Sequence, residues 1–148
     1  MIIRRANETD IDALTDLIFR SKASNGYDAA FMEACRDELS VTAEKLEAAV
    51  YWVAEENGLA GCVALSMDGT AGVVENFFVD PDRQRQGVGR QLWDLVRARA
   101  VEMGAERLVL DADPNAVQFY EAMGFIVVGE TPSGSIPGRV LPLMELRL

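Results

Sequence analysis

The sequence predicts a mixed α/β single domain, and three observations carry that reading. The chain has 148 residues, the size of one domain that buries roughly two thirds of its unfolded surface. Its first half holds apolar runs separated by the turn signals Asn57-Gly58 and Asp68-Gly69, which predicts consecutive antiparallel strands. After Asp80-Pro81 the pattern changes, and helical apolar spacing alternates with short apolar runs.

Taken in order, Ile2-Ile3-Arg4-Arg5 reads as a first strand. Asn7 or Thr9 can cap a helix whose Ile11, Leu14 and Ile18 share a face. Ser24-Asn25-Gly26 breaks it, and Phe31, Cys35 and Leu39 at i, i+4 and i+8 predict a second helix. Strands are expected at Val50–Ala54, Leu59–Leu65 and Gly72–Val79. A long helix follows from Gly87 to about Met103, with Val88, Leu92 and Leu95 facing inward and Gly104 as its stop. Arg107–Leu110 is a short strand, Asn115–Met123 a helix ended by Gly124, and Phe125–Val128 another strand. The loop 129–138, rich in Gly, Pro and Ser, leads to a last strand at Arg139–Leu146. There Pro142 implies an edge or a bulge.

Composition narrows the chemistry. The chain carries a formal charge of −10, which argues against nucleic-acid or anionic-membrane binding, because those need a basic face. It has no histidine, so Ser-His-Asp, Cys-His and histidine-metal sites are excluded. A general base must then be a carboxylate, a cysteine, a tyrosine, water or the substrate itself. Cys35 and Cys62 have neither disulfide nor zinc spacing and read as packed thiols. No apolar run approaches the 18 or so residues of a membrane span, and Met1–Asp10 does not resemble a signal peptide. A cytoplasmic protein is expected, with no metal.

The informative segment is Val79-Asp80-Pro81-Asp82-Arg83-Gln84-Arg85-Gln86-Gly87-Val88-Gly89-Arg90. It joins a strand to a helix, so free backbone N–H groups and the helix dipole converge where an anion can bind. Glycines let the backbone approach a phosphate closely, and Arg83, Arg85 and Arg90 cluster here in an acidic chain. The alternative is a surface turn with solvated arginines. The segment lacks the Gly-Lys-Ser/Thr of a P-loop and the third glycine of a dinucleotide-binding turn.

Gln84-Arg85-Gln86-Gly87-Val88-Gly89 resembles the Q/R-x-x-G-x-G/A pyrophosphate loop of the GCN5-related N-acetyltransferases. Ala116-Val117-Gln118-Phe119-Tyr120-Glu121-Ala122-Met123-Gly124-Phe125 is similar to their A-x-x-F-Y-x-x-x-G-F segment. The order of elements fits that family over essentially the whole chain. The resemblance implies a mixed, mostly antiparallel sheet of about seven strands flanked by about four helices.

It also implies an acetyl-CoA cosubstrate and direct transfer to an amine. The strand ending at Phe77-Phe78-Val79 should carry a bulge and diverge from Leu108–Leu110, opening a V-shaped cleft for the pantetheine arm. The diphosphate would sit on amides from Arg85 to Arg90, with Gln84 also expected at the cofactor, and an N–H near Phe78 or Val79 would hold the oxyanion. Tyr120 is the expected acid for the thiolate, while Phe119 reads as core. Glu75 is the candidate base, directly or through water. It matches the glutamate of the Leu-Glu-Asp-Phe-Phe-Val stretch of diamine acetyltransferases, and strand alternation groups it with Phe77 and Val79. An exposed glutamate on a strand face is the alternative. Many members place a cofactor-contacting asparagine where this chain has Asp113, and Asn115 is the candidate replacement, by capping the helix. Asp111 could enter the cleft or cap that helix. Tyr27 and Ser133-Gly134-Ser135 lie where the acceptor pocket is walled, and Arg139 could meet an acceptor carboxylate or pair with an acid. The expected acceptor is a small amine. A protein N-terminus or lysine, or a catalytically idle acyl-CoA sensor, are the alternatives, and a homodimer is expected from the family.

Overall fold

The computed structural model describes residues 1–148 as a seven-stranded sheet of order β1-β2-β3-β4-β5-β7-β6. Strands β1 (Ile2–Arg5), β2 (Val50–Glu55), β3 (Leu59–Asp68) and β4 (Ala71–Val79) form an antiparallel run. The positive φ of Asn57, Gly58 and Gly69 makes the tight turns between β2, β3 and β4. β5 (Arg107–Asp111) joins β4 in parallel, the only such pair, and β7 (Val140–Arg147) lies between β5 and the edge strand β6 (Ile126–Pro132).

Six helices cover the two faces. One face carries α1 (Ile11–Ala23), α2 (Ala29–Ala34), α3 (Arg36–Leu39) and α4 (Ala43–Ala48). Asn7 supplies a capping box ahead of α1, and Asp28 and Thr42 cap α2 and α4. The single helix expected through Phe31, Cys35 and Leu39 is thus two short ones, and α4 was not foreseen. Met32, Cys35, Leu39 and Val41 still reach one core with Leu14, Leu17, Ile18, Tyr51, Val53, Cys62 and Ala64. Burial is satisfied by short pieces as well as by one rod, because the apolar spacing does not fix the breaks between them.

The other face carries α5 (Val88–Glu102) and α6 (Val117–Ala122). Val88, Leu92, Trp93, Val96 and Ala100 face the sheet, so the inward row is Val96 rather than the expected Leu95, which is half-buried. Gly61 makes this approach possible: a Cβ there would stand 2.8 Å from Val88. Burying each such aliphatic side chain stabilises the fold by about 1.5–3 kcal/mol.

Pro142 lies neither on an edge strand nor at a bulge of β7, contrary to expectation. It faces Glu130 of β6, and its carbonyl accepts from the Ala112 N–H just beyond the end of β5. The proline therefore sits where the β5 ladder stops. The nearby bulge belongs to β6, where the register shifts between Val127 and Gly129.

Candidate active site

The cleft exists because two strands part. β4 and β5 pair only through Ala71↔Arg107, Gly72↔Leu108 and Val73↔Val109. Beyond Val73 the β3–β4 register shifts between Cys62 and Ala64, so Asn76 and Phe77 share the space opposite Val63. Asn76 takes φ 49°, and this bulge turns the end of β4 away from β5. The splay opens a cavity of about 1050 Å³ lined by residues from both faces of the sheet.

The bulge corrects one expectation. Glu75 stands opposite Ala64 and Phe78 opposite Cys62, so both lie on the α1–α4 face. Asn76 shares that face, because its amide donates to the Tyr51 hydroxyl at 2.9 Å. Phe77 and Val79 pack against the α5–α6 core instead. Two consecutive side chains on one face break the alternation, and Glu75 is separated from Phe77 and Val79.

Phe77, Phe78, Val79, Glu75, Gln84, Asn115 and Tyr120 all line the one cleft. Backbone directions differ among them. The Asp80 N–H bonds the Ala60 carbonyl at 2.8 Å, and the Phe78 N–H faces the Cys62 sulfur. Alternation then aims the Val79 N–H into the splay, where the Ser21 hydroxyl donates to the Val79 carbonyl at 3.0 Å. Of the two amides considered from sequence, only that of Val79 faces the cleft. Cys62 is fully buried, and burial pushes its thiol up to about 12, so it supplies no nucleophile.

Tyr120 comes from α6 and is 8% exposed, held edge-on by Phe77, Phe119 and Phe125. No protein group bonds its hydroxyl, and no buried side-chain polar atom of the fold lacks a partner, so that oxygen is open to the cleft. Burial, and then the negative charge of Asp113, push its pKa well above 10. Phe119 is not core. It is 38% exposed and forms part of the cleft wall.

The loop after β4 ends in an uncapped helix. Gly87 adopts φ 81° as the N-cap of α5 and offers no side chain to the first turn. The first bond of that turn runs from the Gln91 N–H to the Gly87 carbonyl at 3.0 Å, leaving the amides before it open. Arg85, Gln86 and Arg90 are exposed around this terminus, with Arg90 near Asp94 at 3.4 Å. Val88 contributes only backbone here, because its side chain is core. Gly89 faces the cleft wall, since a Cβ would meet Val79 at 3.5 Å and Phe119 at 3.6 Å. Arg83 is spent elsewhere, on the carbonyls of Glu56 and Asn57 in the β2–β3 turn.

Asp113, rather than Asn115, makes the cap: it accepts from the Asn115 N–H at 2.8 Å. Its other oxygen receives Lys22 at 2.5 Å and Tyr27 at 2.8 Å. Arg139 in turn donates to the Tyr27 hydroxyl at 2.8 Å, and the Asn115 amide donates to it at 3.2 Å. Burial raises the Asp113 carboxyl, but the Lys22 and Asn115 hydrogen bonds outweigh it and hold the group at about 2. Arg139 therefore pairs within the protein. This clasp ties α1, the α1–α2 loop, the β5–α6 turn and the β6–β7 loop together, and no local pattern in the sequence signals it. Asp37 and Glu38 of α3 also line the cleft, and Glu38 accepts from the Ser135 hydroxyl. Of the expected wall of Tyr27 and Ser133-Gly134-Ser135 only Gly134 lines the cleft, and the acids Asp37 and Glu38 were missed because α3 was read as part of a longer helix.

Comparison with known proteins agrees with this architecture. The family described as acetyltransferase (GNAT) domain matches residues 18–135. The peptidyl-lysine N-acetyltransferase YjaB of Salmonella typhimurium is 30% identical over 138 residues, 92% of this chain and 82% of the relative. A GCN5-related N-acetyltransferase from Rhodopseudomonas palustris superposes with a TM-score of 0.83 at 22% identity, covering 99% of this chain and 95% of that one. The PaiA N-acetyltransferase of Thermoplasma acidophilum, solved with coenzyme A, gives 0.81 at 18% identity, covering 99% and 98%. The chain belongs to the GNAT family of acetyltransferases and is an acyltransferase that uses coenzyme A.

Proposed function

We propose that the chain transfers acetyl from acetyl-CoA to the amine of a small molecule by direct attack. The observation that carries this reading is the splay of β4 and β5 with an unpartnered Tyr120 hydroxyl at its wall. The open edge of β4 can bond a pantetheine arm as an added strand. The uncapped α5 terminus with Gln84, Arg85, Gln86, Gly87, Val88, Gly89 and Arg90 fits a diphosphate through backbone amides and positive charge. Phe77, Phe78 and Val79 would flank the thioester, with the Val79 N–H donating to its carbonyl oxygen as negative charge develops there.

The amine nitrogen attacks the thioester carbon, and the carbon–sulfur bond breaks. Tyr120 gives its proton to the departing sulfur. An alkylammonium is neutral about once per thousand molecules at pH 7, a cost of roughly 4 kcal/mol. Glu75 is exposed, so it takes the proton through a water or after attack, when the intermediate's nitrogen is acidic. Asp113 stabilises the cleft wall through the clasp, and Asn115, exposed on that wall with its side-chain oxygen unengaged, would contact the cofactor.

The relative that acts on peptidyl-lysine favours a second reading, acetylation of a protein lysine. The rim favours the small amine, because Glu38–Ser135 and the Asp113 clasp bridge across the acceptor end. A catalytically idle acyl-CoA sensor would bind the cofactor and release no thiol. Thiol release measured across panels of small amines and lysine peptides separates the three. No helix is long and apolar enough to cross a membrane, and the reading includes action in the cytoplasm, where acetyl-CoA is supplied. A homodimer would form on the edge strand β6, whose Ile126, Val127 and Val128 are exposed.

A further inference from the structure

Two tyrosines, Tyr51 and Tyr120, line the cleft, and only Tyr120 has a part in the transfer step. Tyr51 starts from β2 on the α1–α4 face and is 3% exposed. It stands opposite Ala64 of β3, and Ala64 stands opposite Glu75 of β4. Neighbouring strands lie about 4.8 Å apart, so the row from Tyr51 to Glu75 spans roughly 10 Å across one face of the sheet. Alanine in the middle leaves room for the phenol to lie over it toward β4. The phenol ends at the bulge, where the Asn76 amide donates to its oxygen at 2.9 Å.

That bond leaves a proton over. A phenol oxygen both donates and accepts, and the Asn76 amide takes an acceptor position. The Tyr51 O–H itself donates to no protein atom, and it opens on the cleft beside the exposed Glu75 carboxylate. Burial above all, with the Glu75 charge adding to it, raises the Tyr51 pKa against the Asn76 bond. The phenol therefore stays a donor, and it is not the tyrosine base that composition left open. Its place is fixed through the bulge, since the Cys62 thiol donates to the Asn76 carbonyl at 3.2 Å and so holds the residue that holds Tyr51.

An ammonium has no lone pair, and an attacking amine commits its own to the thioester carbon, so neither accepts the Tyr51 proton. A water does. We propose that Tyr51 is a positioning residue, whose free O–H donates to the oxygen of the water through which Glu75 removes the proton of the attacking amine. This rests on the acetyl-transfer reading above. Held in that way, the water points a hydrogen at Glu75 and keeps its second lone pair for the amine N–H. The nitrogen gives a proton to the water, and the water passes one of its own to the Glu75 carboxylate. The nitrogen–carbon bond forms, the carbon–sulfur bond breaks, and sulfur receives the Tyr120 proton. Tyr51 ends with the proton it began with.

The test compares ethylamine with trifluoroethylamine, or any amine of the panel above with its fluorinated analogue, in single-turnover acetyl transfer. It uses the parent, Tyr51→Phe, Glu75→Gln and the double variant. Fluorine beside the nitrogen makes the intermediate's proton acidic enough for bulk water to take, so that acceptor needs little help. Tyr51→Phe keeps the ring packed, and the rise in Tm with coenzyme A reports that fold and cofactor site are intact. The variant should slow transfer to ethylamine by roughly tenfold to a hundredfold and transfer to trifluoroethylamine by less than about threefold. In the Glu75→Gln background the same substitution should add little, because Tyr51 acts through Glu75. An equal loss with both amines marks a packing role and overturns the inference. So does a full additional loss in the double variant, or a parent rate in Tyr51→Phe. A loss confined to acceptors bearing a hydroxyl or carbonyl gives the Tyr51 proton to the substrate and overturns it as well. No turnover of any amine, with coenzyme A still raising Tm, removes the acetyl-transfer reading and this inference together.

Discussion

Tyr120 is held by aromatic neighbours on three sides, and its hydroxyl is left without a protein partner. Removing the oxygen leaves the ring packed, so Tyr120→Phe should fold as the parent does. Its proposed proton transfer occurs only as carbon–sulfur cleavage proceeds, so the loss belongs to the transition state. Single-turnover acetyl transfer should slow by about a hundredfold, near the lower end for a general acid, with acetyl-CoA affinity nearly unchanged. A variant as fast as the parent in that assay assigns the proton to water. The raised pKa has a second consequence. Tyr120 stays protonated through mildly alkaline pH, so it adds no falling limb there. With a simple amine of pKa near 10.4, kcat/KM should climb about tenfold per pH unit from 7 to 9. A bell-shaped profile centred near pH 8 would place a different acid in the reaction.

At the scale of the element, α5 has separable ends. Its body is core: Leu92 is fully buried against Gly61 of β3. Leu92→Ala should cost about 3 kcal/mol by leaving a cavity, lowering Tm by roughly 10 °C, which calorimetry would report. Its first turn lies against the cleft. A Cβ at Gly89 fits at 3.5 Å from Val79, whereas a valine would press on Phe119. Gly89→Val should therefore weaken coenzyme A binding at least tenfold by calorimetric titration, with Tm close to the parent's. Undiminished affinity in that variant would place the diphosphate away from the helix terminus.

Across the whole molecule, Asp113 couples elements distant in the chain through Lys22 and Tyr27. Its carboxyl sits at about 2 in the folded protein against 3.8 in the unfolded chain. A depressed folded pKa gives stability that is present above pH 3.8 and lost as pH falls toward 2, because the unfolded chain binds the proton first. The contribution is about 2 kcal/mol at neutral pH. Asp10 and Asp80 are lowered as well, by the Arg4 and Arg20 hydrogen bonds that outweigh burial, and they add in the same direction. Urea midpoints should fall between pH 4 and 2, and Asp113→Asn should show a shallower fall from a lower plateau. An identical acid profile in the variant would remove Asp113 from the account.

The sequence by itself determined the strand order of the first half, because Asn57-Gly58 and Asp68-Gly69 dictate tight turns locally. It also determined the helix start at Gly87 and Tyr120 facing the cleft, since each rests on residues close in the chain, whereas Phe119, read as core, proved to be cleft wall. The α2–α3 break, α4, the Pro142 setting and the face of Glu75 were decided only by tertiary structure. A bulge at Asn76 reverses strand alternation through its pairing with β3, and periodicity within one strand does not contain that information. The Asp113 clasp is the clearest case: its partners lie 86 and 91 residues away. Such contacts arise from where the chain returns after folding, so only the assembled fold brings those charges together.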